Sequence, residues 1–463
     1  MSGFGGEPDF ASPPLAVLAF DAWQSSLTAV TSFSGQTRTP DQTVCRPSSA
    51  PFCVTRAETG AMFVTTTEPD PTPPSLSLLA LFTRFLRFGF LAFGGPVAQI
   101  AMIRRELVDE ERWISNAHFN RLLAVLQVLP GPEAHELCVH LGMRARGRIG
   151  GLLAGLGFML PGFIIMLGIG WAYVALSPVM GLLTGAFLGV QAAVVAVIVR
   201  AVHKIGSHIL EDRWLWVVAI VAFGATLLGV AFWIALIAGG AGYACVKAGR
   251  HGLAAVVAVA AVVLAVGLHF YGRHISREDI EVVSTTGALP MLWTGLKAGL
   301  LTFGGAYTAI PYVRADTVGR GQISDGQFLD GIAFAGVIPA PLVIFCTFVG
   351  FVVGGWIGAV AMTVGVFLPA FAFSMIFYER LEAVVGDERL HRVLAGIAAA
   401  VVGIIAATSV QLAWATLQRV PSVPIALAIF LGAFAAVWFW KSRYAIAVVL
   451  IVSAMAGRAM FTQ

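Results

Sequence analysis

The sequence predicts an all-α polytopic membrane protein with about 12–13 transmembrane helices, in two inverted homologous repeats with broken helices. Three observations predict it. Hydrophobic residues make up 58% of the chain and charged residues only 12%, about half the charged share of a soluble domain. Apolar runs such as 152–173, 179–199 and 253–270 approach the roughly 20 residues that cross a hydrocarbon layer. Short motifs also occur twice, at a nearly constant separation.

Residues 1–74 hold ten of the 22 prolines and many Ser and Thr. Such a segment cannot bury enough apolar surface to offset chain entropy, so a disordered extension is expected. The first repeat follows over 75–250, with spans at 76–103, 119–142, 149–174, 178–200, 213–230 and 231–248. A linking transmembrane helix occupies 251–275, with its apolar stretch at 252–271. The second repeat covers 276–463, with spans at 287–313, 326–350, 353–378, 392–415, 421–440 and 443–460.

Phe93-Gly-Gly95 returns as Phe303-Gly-Gly305, 210 residues later. Ile114-Ser115 with Phe119 returns as Ile323-Ser324 with Phe328, and Leu129-Pro-Gly-Pro132 as Ile338-Pro-Ala-Pro341. Leu160-Pro-Gly-Phe163 matches Leu368-Pro-Ala-Phe371, and Gly189-Val-Gln191 begins a stretch echoed from Gly396. An odd linking span would invert the second repeat. The loop Gly142–Arg148 carries three arginines and its counterpart Gly350–Trp356 none, so the positive-inside rule puts the two on opposite sides with a cytoplasmic N-terminus.

Helix breakers within an apolar run leave backbone groups that hydrocarbon cannot satisfy, and they persist where they line a cavity. The amide end of a broken helix favours an anion. Candidate substrate-binding residues are therefore Gly94, Gly95, Gly131, Gly304 and Gly305, with Gln127 as a neutral ligand. Arg87 and Lys297 each lie six residues before a Phe-Gly-Gly. As intramembrane cations at one repeat position, they are expected to share a cavity and neutralise a dianion. Glu133, His135 and Glu136 are candidates for carrying a coupled proton. His135 and His140 stand five apart, off a common helix face, so neither a zinc site nor another metal or cofactor is expected. The five cysteines show no paired spacing. No Gly-rich, Lys-containing phosphate loop appears, which argues against a nucleotide-driven pump. The clustered arginines read as a topology signal, so a nucleic-acid partner is not expected.

The chain resembles the long, two-unit form of the chromate ion transporter family. The resemblance lies in Phe93-Gly-Gly-Pro96, Arg104-Arg-Glu106, Trp113-Ile-Ser115, Gln127-Val-Leu-Pro-Gly-Pro-Glu133 and Leu160-Pro-Gly-Phe163. Phe303-Gly-Gly-Ala-Tyr307, Ile338-Pro-Ala-Pro-Leu342 and Leu368-Pro-Ala-Phe371 carry it through the second unit, over roughly 78–460 in all. It implies a multi-pass protein of the bacterial inner membrane that exports chromate, a tetrahedral dianion resembling sulfate, and confers chromate resistance. Transport of sulfate or another oxyanion is the alternative, and an intramembrane hydrolase built on Glu133–His140 a third reading. The expected partners are the inorganic oxyanion and membrane lipid, and a homodimer is left open.

Overall fold

A computed structural model describes residues 44–45, 53–56, 62–65, 71–126, 129–176, 183–275, 287–302, 305–376, 388–440 and 442–461. The chain divides into a short unit, Met1–Pro69, and a helical unit, Asp70–Gln463. In the first, three short strands pair antiparallel in sequence order: β1 (Val44–Cys45), β2 (Cys53–Arg56) and β3 (Met62–Thr65). The disorder expected for the rest of that extension falls outside the described residues, apart from 71–77, which form no regular element.

The helical unit has fifteen α-helices among its described residues. The first repeat holds α1 (Leu78–Leu91), α2 (Pro96–Arg104), α3 (Asn116–Leu126), α4 (Glu133–Ala175), α5 (Thr184–Ile209), α6 (Arg213–Leu227) and α7 (Phe232–Lys247). The linking helix is α8 (His251–Ile275). The second repeat holds α9 (Ala288–Leu300), α10 (Ile310–Thr317), α11 (Asp325–Val337), α12 (Phe345–Ile376), α13 (Glu388–Leu417), α14 (Val423–Phe439) and α15 (Ala445–Phe461). Five described segments are long and apolar enough to cross a membrane: Glu133–Ala175, Thr184–Ile209, His251–Leu268, Leu342–Ile376 and Arg389–Leu417. The protein is an all-α, multi-pass membrane protein.

Two of the expected spans are broken at their Phe-Gly-Gly motifs. The 76–103 run ends α1 at Leu91 and restarts at Pro96, and the 287–313 run stops at Leu300 and restarts through a 3-10 turn at Ala306–Ala309. Positive φ at Gly95 and Gly305 turns the chain in each case. α4 and α12 each fold back on themselves. Arg146 and Gly147 leave helical geometry (φ −145°, ψ 29°; φ 63°, ψ −158°), and Gly354 and Gly355 repeat those values closely (φ −133°, ψ 18°; φ 60°, ψ −149°). The two arms meet at small residues. A Cβ on Gly142 would stand 2.5 Å from the Gly150 carbonyl oxygen, and one on Gly350 would stand 2.5 Å from that of Gly358.

Equivalent contacts recur throughout. Ser115 Oγ accepts from the His118 N–H, and Ser324 Oγ accepts from the Gln327 N–H, each at 3.2 Å. Phe119 and Phe328 are both fully buried. Gly89 of α1 seats against Pro161 of α4, as Gly299 of α9 seats against Pro369 of α12. The last helices of each repeat are exchanged. α5 packs on α14 and α15, while α13 packs on α6 and α7. The small residues Gly189 against Gly457, and Gly396 against Gly239, let these backbones approach.

Candidate functional site

Four helix breaks, two per repeat, meet where the repeats touch. The N–H of Gly131 donates to the Thr302 carbonyl at 2.9 Å. This ties the Pro-Gly-Pro break of the first repeat to the Phe-Gly-Gly break of the second. In the opposite sense, buried Gln99 Nε2 donates to the carbonyl oxygens of Ala92 (2.9 Å) and Ala340 (3.0 Å). The breaks also rest on the other repeat's Leu-Pro-x-Phe segment. A Cβ on Gly131 would lie 3.1 Å from that of Ala370, and one on Gly162 would collide with that of Ala340. The breaks thus pair reciprocally, through a backbone bond on one side and through the Gln99 side chain on the other, and the cluster is a seam between the two repeats.

The expected site residues divide in three. Gly94 (φ 91°) lies hard against the backbone of Arg443, whereas Gly95 (φ 81°) faces open space and Gly305 (φ 131°) has only Ile205 Cδ1 at 4.0 Å. Gln127 and Gly304 lie outside the described residues. Arg87 and Lys297 do occupy equivalent places, and each is met by the equivalent acid of its own repeat. Arg87 Nη2 donates to both carboxylate oxygens of Glu106, at 2.6 and 2.5 Å, and Lys297 pairs with Asp316. The Arg87 side chain is 59% exposed and that of Lys297 22%. Arg87 lines a cavity of about 550 Å³ with Arg84, Glu106, Glu110 and Glu111, and Lys297 is not among its walls.

Glu133, His135 and Glu136 come together in the first turn of α4, all buried, with His135 and Glu136 fully so. His135 is wedged between Phe367 and Phe371, ring centroids 4.9 and 4.7 Å away. Glu133 feels the charge of Lys204 on α5. Glu136 turns its carboxyl to Gly131, with Oε1 2.6 Å from where a Cβ would sit, and neither oxygen has a hydrogen-bond partner.

A second polar cluster also crosses the seam. Tyr173 Oη and Gln191 Nε2 from the first repeat both donate to Asp330 of the second, at 2.9 Å each. With Arg419 they line a cavity of about 190 Å³. Sequence reasoning passed over Asp330, Gln191 and Gln99. For Gln99 and Gln191 the available signal was a lone polar residue within an apolar run, whereas Asp330 stands only three residues after Gln327.

The family model described as chromate transporter matches residues 79–269 and 289–458, one segment for each repeat with α8 closing the first. The chain belongs to the chromate transporter family. It is 58% identical over 393 residues to the chromate transport protein of Pseudomonas aeruginosa, covering 85% of this chain and 94% of that one. It is 29% identical over 402 residues to the probable chromate transport protein of Synechococcus elongatus (83% and 96% covered). It is 30% identical over 369 residues to the chromate transport protein of Cupriavidus metallidurans (77% and 88% covered). No solved structure matches the chain. The two matched segments divide at 270–288, so each carries both breaks of one repeat.

Proposed function

We propose that this protein exports chromate from the cytoplasm across the bacterial inner membrane as a secondary transporter, and thereby confers chromate resistance. The observation that carries the reading is the seam, where four breaks meet in reciprocal pairs within a chain of this family. Discontinuous helices at a repeat interface suit an ion site near the bilayer midplane, reached from alternate sides as one repeat rocks against the other. In this reading the anion is held by backbone N–H groups at Gly95, Gly304 and Gly305, with Gln127 as a neutral ligand, while Gly131, whose N–H is engaged by the Thr302 carbonyl, shapes the break. Arg87 and Lys297 supply positive charge next to the first break of each repeat and exchange their carboxylates for the anion. The repeats are inverted and the N-terminus is cytoplasmic.

Energetics favour outward movement. Moving a dianion out of a cell whose interior is about 100 mV negative releases roughly 4.6 kcal/mol. The test is chromate uptake into inside-out vesicles from cells expressing the chain, with and without excess sulfate. Saturable uptake absent from control vesicles is expected, and strong sulfate competition would assign one dianion site to both. No uptake by vesicles holding folded protein would overturn the reading.

A further inference from the structure

We propose that the oxyanion binds at the N-terminus of α4 only after Glu136 has taken up a proton, so that proton and anion cross together. The inference rests on the transport reading above and names the group that links the two ions.

No side chain caps α4, which starts at Glu133 directly after the Pro-Gly-Pro break. The opening N–H groups of a helix have no carbonyl four residues back, and with the positive end of the dipole they favour an anion. A carboxyl already stands there. The Glu136 carboxyl is fully buried, touches the space over Gly131, and has no hydrogen-bond partner for either oxygen. A buried carboxylate without partners is expensive, and a carboxylic acid far less so. A dianion entering beside an ionised Glu136 would meet like charge in a low-dielectric seam. Uptake of one proton turns that carboxylate into a neutral acid whose O–H can donate to the incoming oxyanion.

The second repeat argues that the acid is not a building requirement of the break. At the positions equivalent to Glu133, His135 and Glu136 it has Leu342, Ile344 and Phe345, which open the same turn into α12. The ionisable groups near Glu136 are Glu133, His135 and His140 on its own helix, with Lys204 of α5 acting on Glu133. α12 presents Phe367, Ala370 and Phe371 to this turn and no charge. Of the two acids, Glu136 is the one whose carboxyl stands against Gly131 with both oxygens unpartnered, and so the one placed to take up a proton beside the anion.

The test uses the purified full chain in two measurements. Calorimetric binding of sulfate, which stays a dianion through the neutral range, should tighten about tenfold for each pH unit of acidification above the titration of Glu136. In Glu136→Gln, a neutral mimic of the protonated acid, sulfate binding should persist and lose its pH dependence. In liposomes with a trapped pH dye, chromate entry should bring protons with it; Glu136→Gln should still move chromate without them, and Glu136→Asp should keep the coupling. Four results would each overturn the proposal: sulfate binding by the parent that ignores pH, unchanged pH dependence in Glu136→Gln, protons moving opposite to chromate, or a monodisperse Glu136→Gln that binds no anion. Parent protein that binds sulfate with the expected pH dependence yet moves no chromate would overturn the transport reading and leave the linkage standing. Failure to bind either anion would overturn both.

Discussion

Arg87 and Glu106 stand nineteen residues apart, as do Lys297 and Asp316, and each pair closes across a glycine break. The repeat position of all four was visible in the sequence. Their pairing was not, because an unbroken helix would put Glu106 about 28 Å up the axis from Arg87, and only the turn at Gly94–Gly95 brings it back. Arg84 also pairs with Glu106, so that acid keeps a cation when Arg87 is lost, which provides a way to separate balance from binding. Arg87→Gln should abolish chromate transport, and adding Glu106→Gln should not restore it. Transport rescued in the double variant would mean that Arg87 serves only to balance Glu106. Asp330 and Gln191 mark the opposite limit of legibility. Nothing along the chain says that Gln191 would donate to Asp330 from 139 residues away.

At the scale of elements, the fold-back turns within α4 and α12 are the most exacting local feature. The loop at 142–148 was legible from its three arginines. Its counterpart was legible only through the repeat, since Gly350–Trp356 carries no charge. Gly147 and Gly355 adopt backbone angles that L side chains rarely reach, while a Cβ at either would meet nothing within 4 Å. Any penalty for alanine is therefore strain alone, about 1–3 kcal/mol at each site. Gly147→Ala and Gly355→Ala should lower the denaturation midpoint of the detergent-solubilised protein by similar amounts. Unchanged midpoints would show that the turns relax at no cost. The glycine breaks after α1 and α9 are legible as breakers within their apolar runs, while the helix ends at Leu91 and Leu300 are not, because hydropathy persists through a break while hydrogen bonding does not.

For the whole molecule, the duplication was legible at nearly every motif, and the contacts between the halves were not. Periodicity describes each helix against its own axis; which repeat supplies the neighbour is decided by the path of the chain. The linking helix α8 bears on orientation. It packs chiefly on α7, and no residue of its segment His251–Leu268 is buried within the protein, as suits a helix that faces lipid. Single cysteines at Arg146 and Val353, at the tips of the two fold-back turns, should react with an impermeant reagent from opposite sides of the membrane. Labelling of both from one side would rule out inversion.

The exchange of closing helices has a consequence for biogenesis. When α6 and α7 leave the translocon, the face they will finally cover belongs to α13, and α13 ends at Leu417, about 170 residues after Lys247. At common elongation rates that is a wait of roughly ten to thirty seconds. The glycine-lined flanks at Gly239 and Gly189 must meanwhile be held by lipid or by an insertion factor. The newborn first half is thus an open clasp, and the ribosome sets the moment at which it can shut.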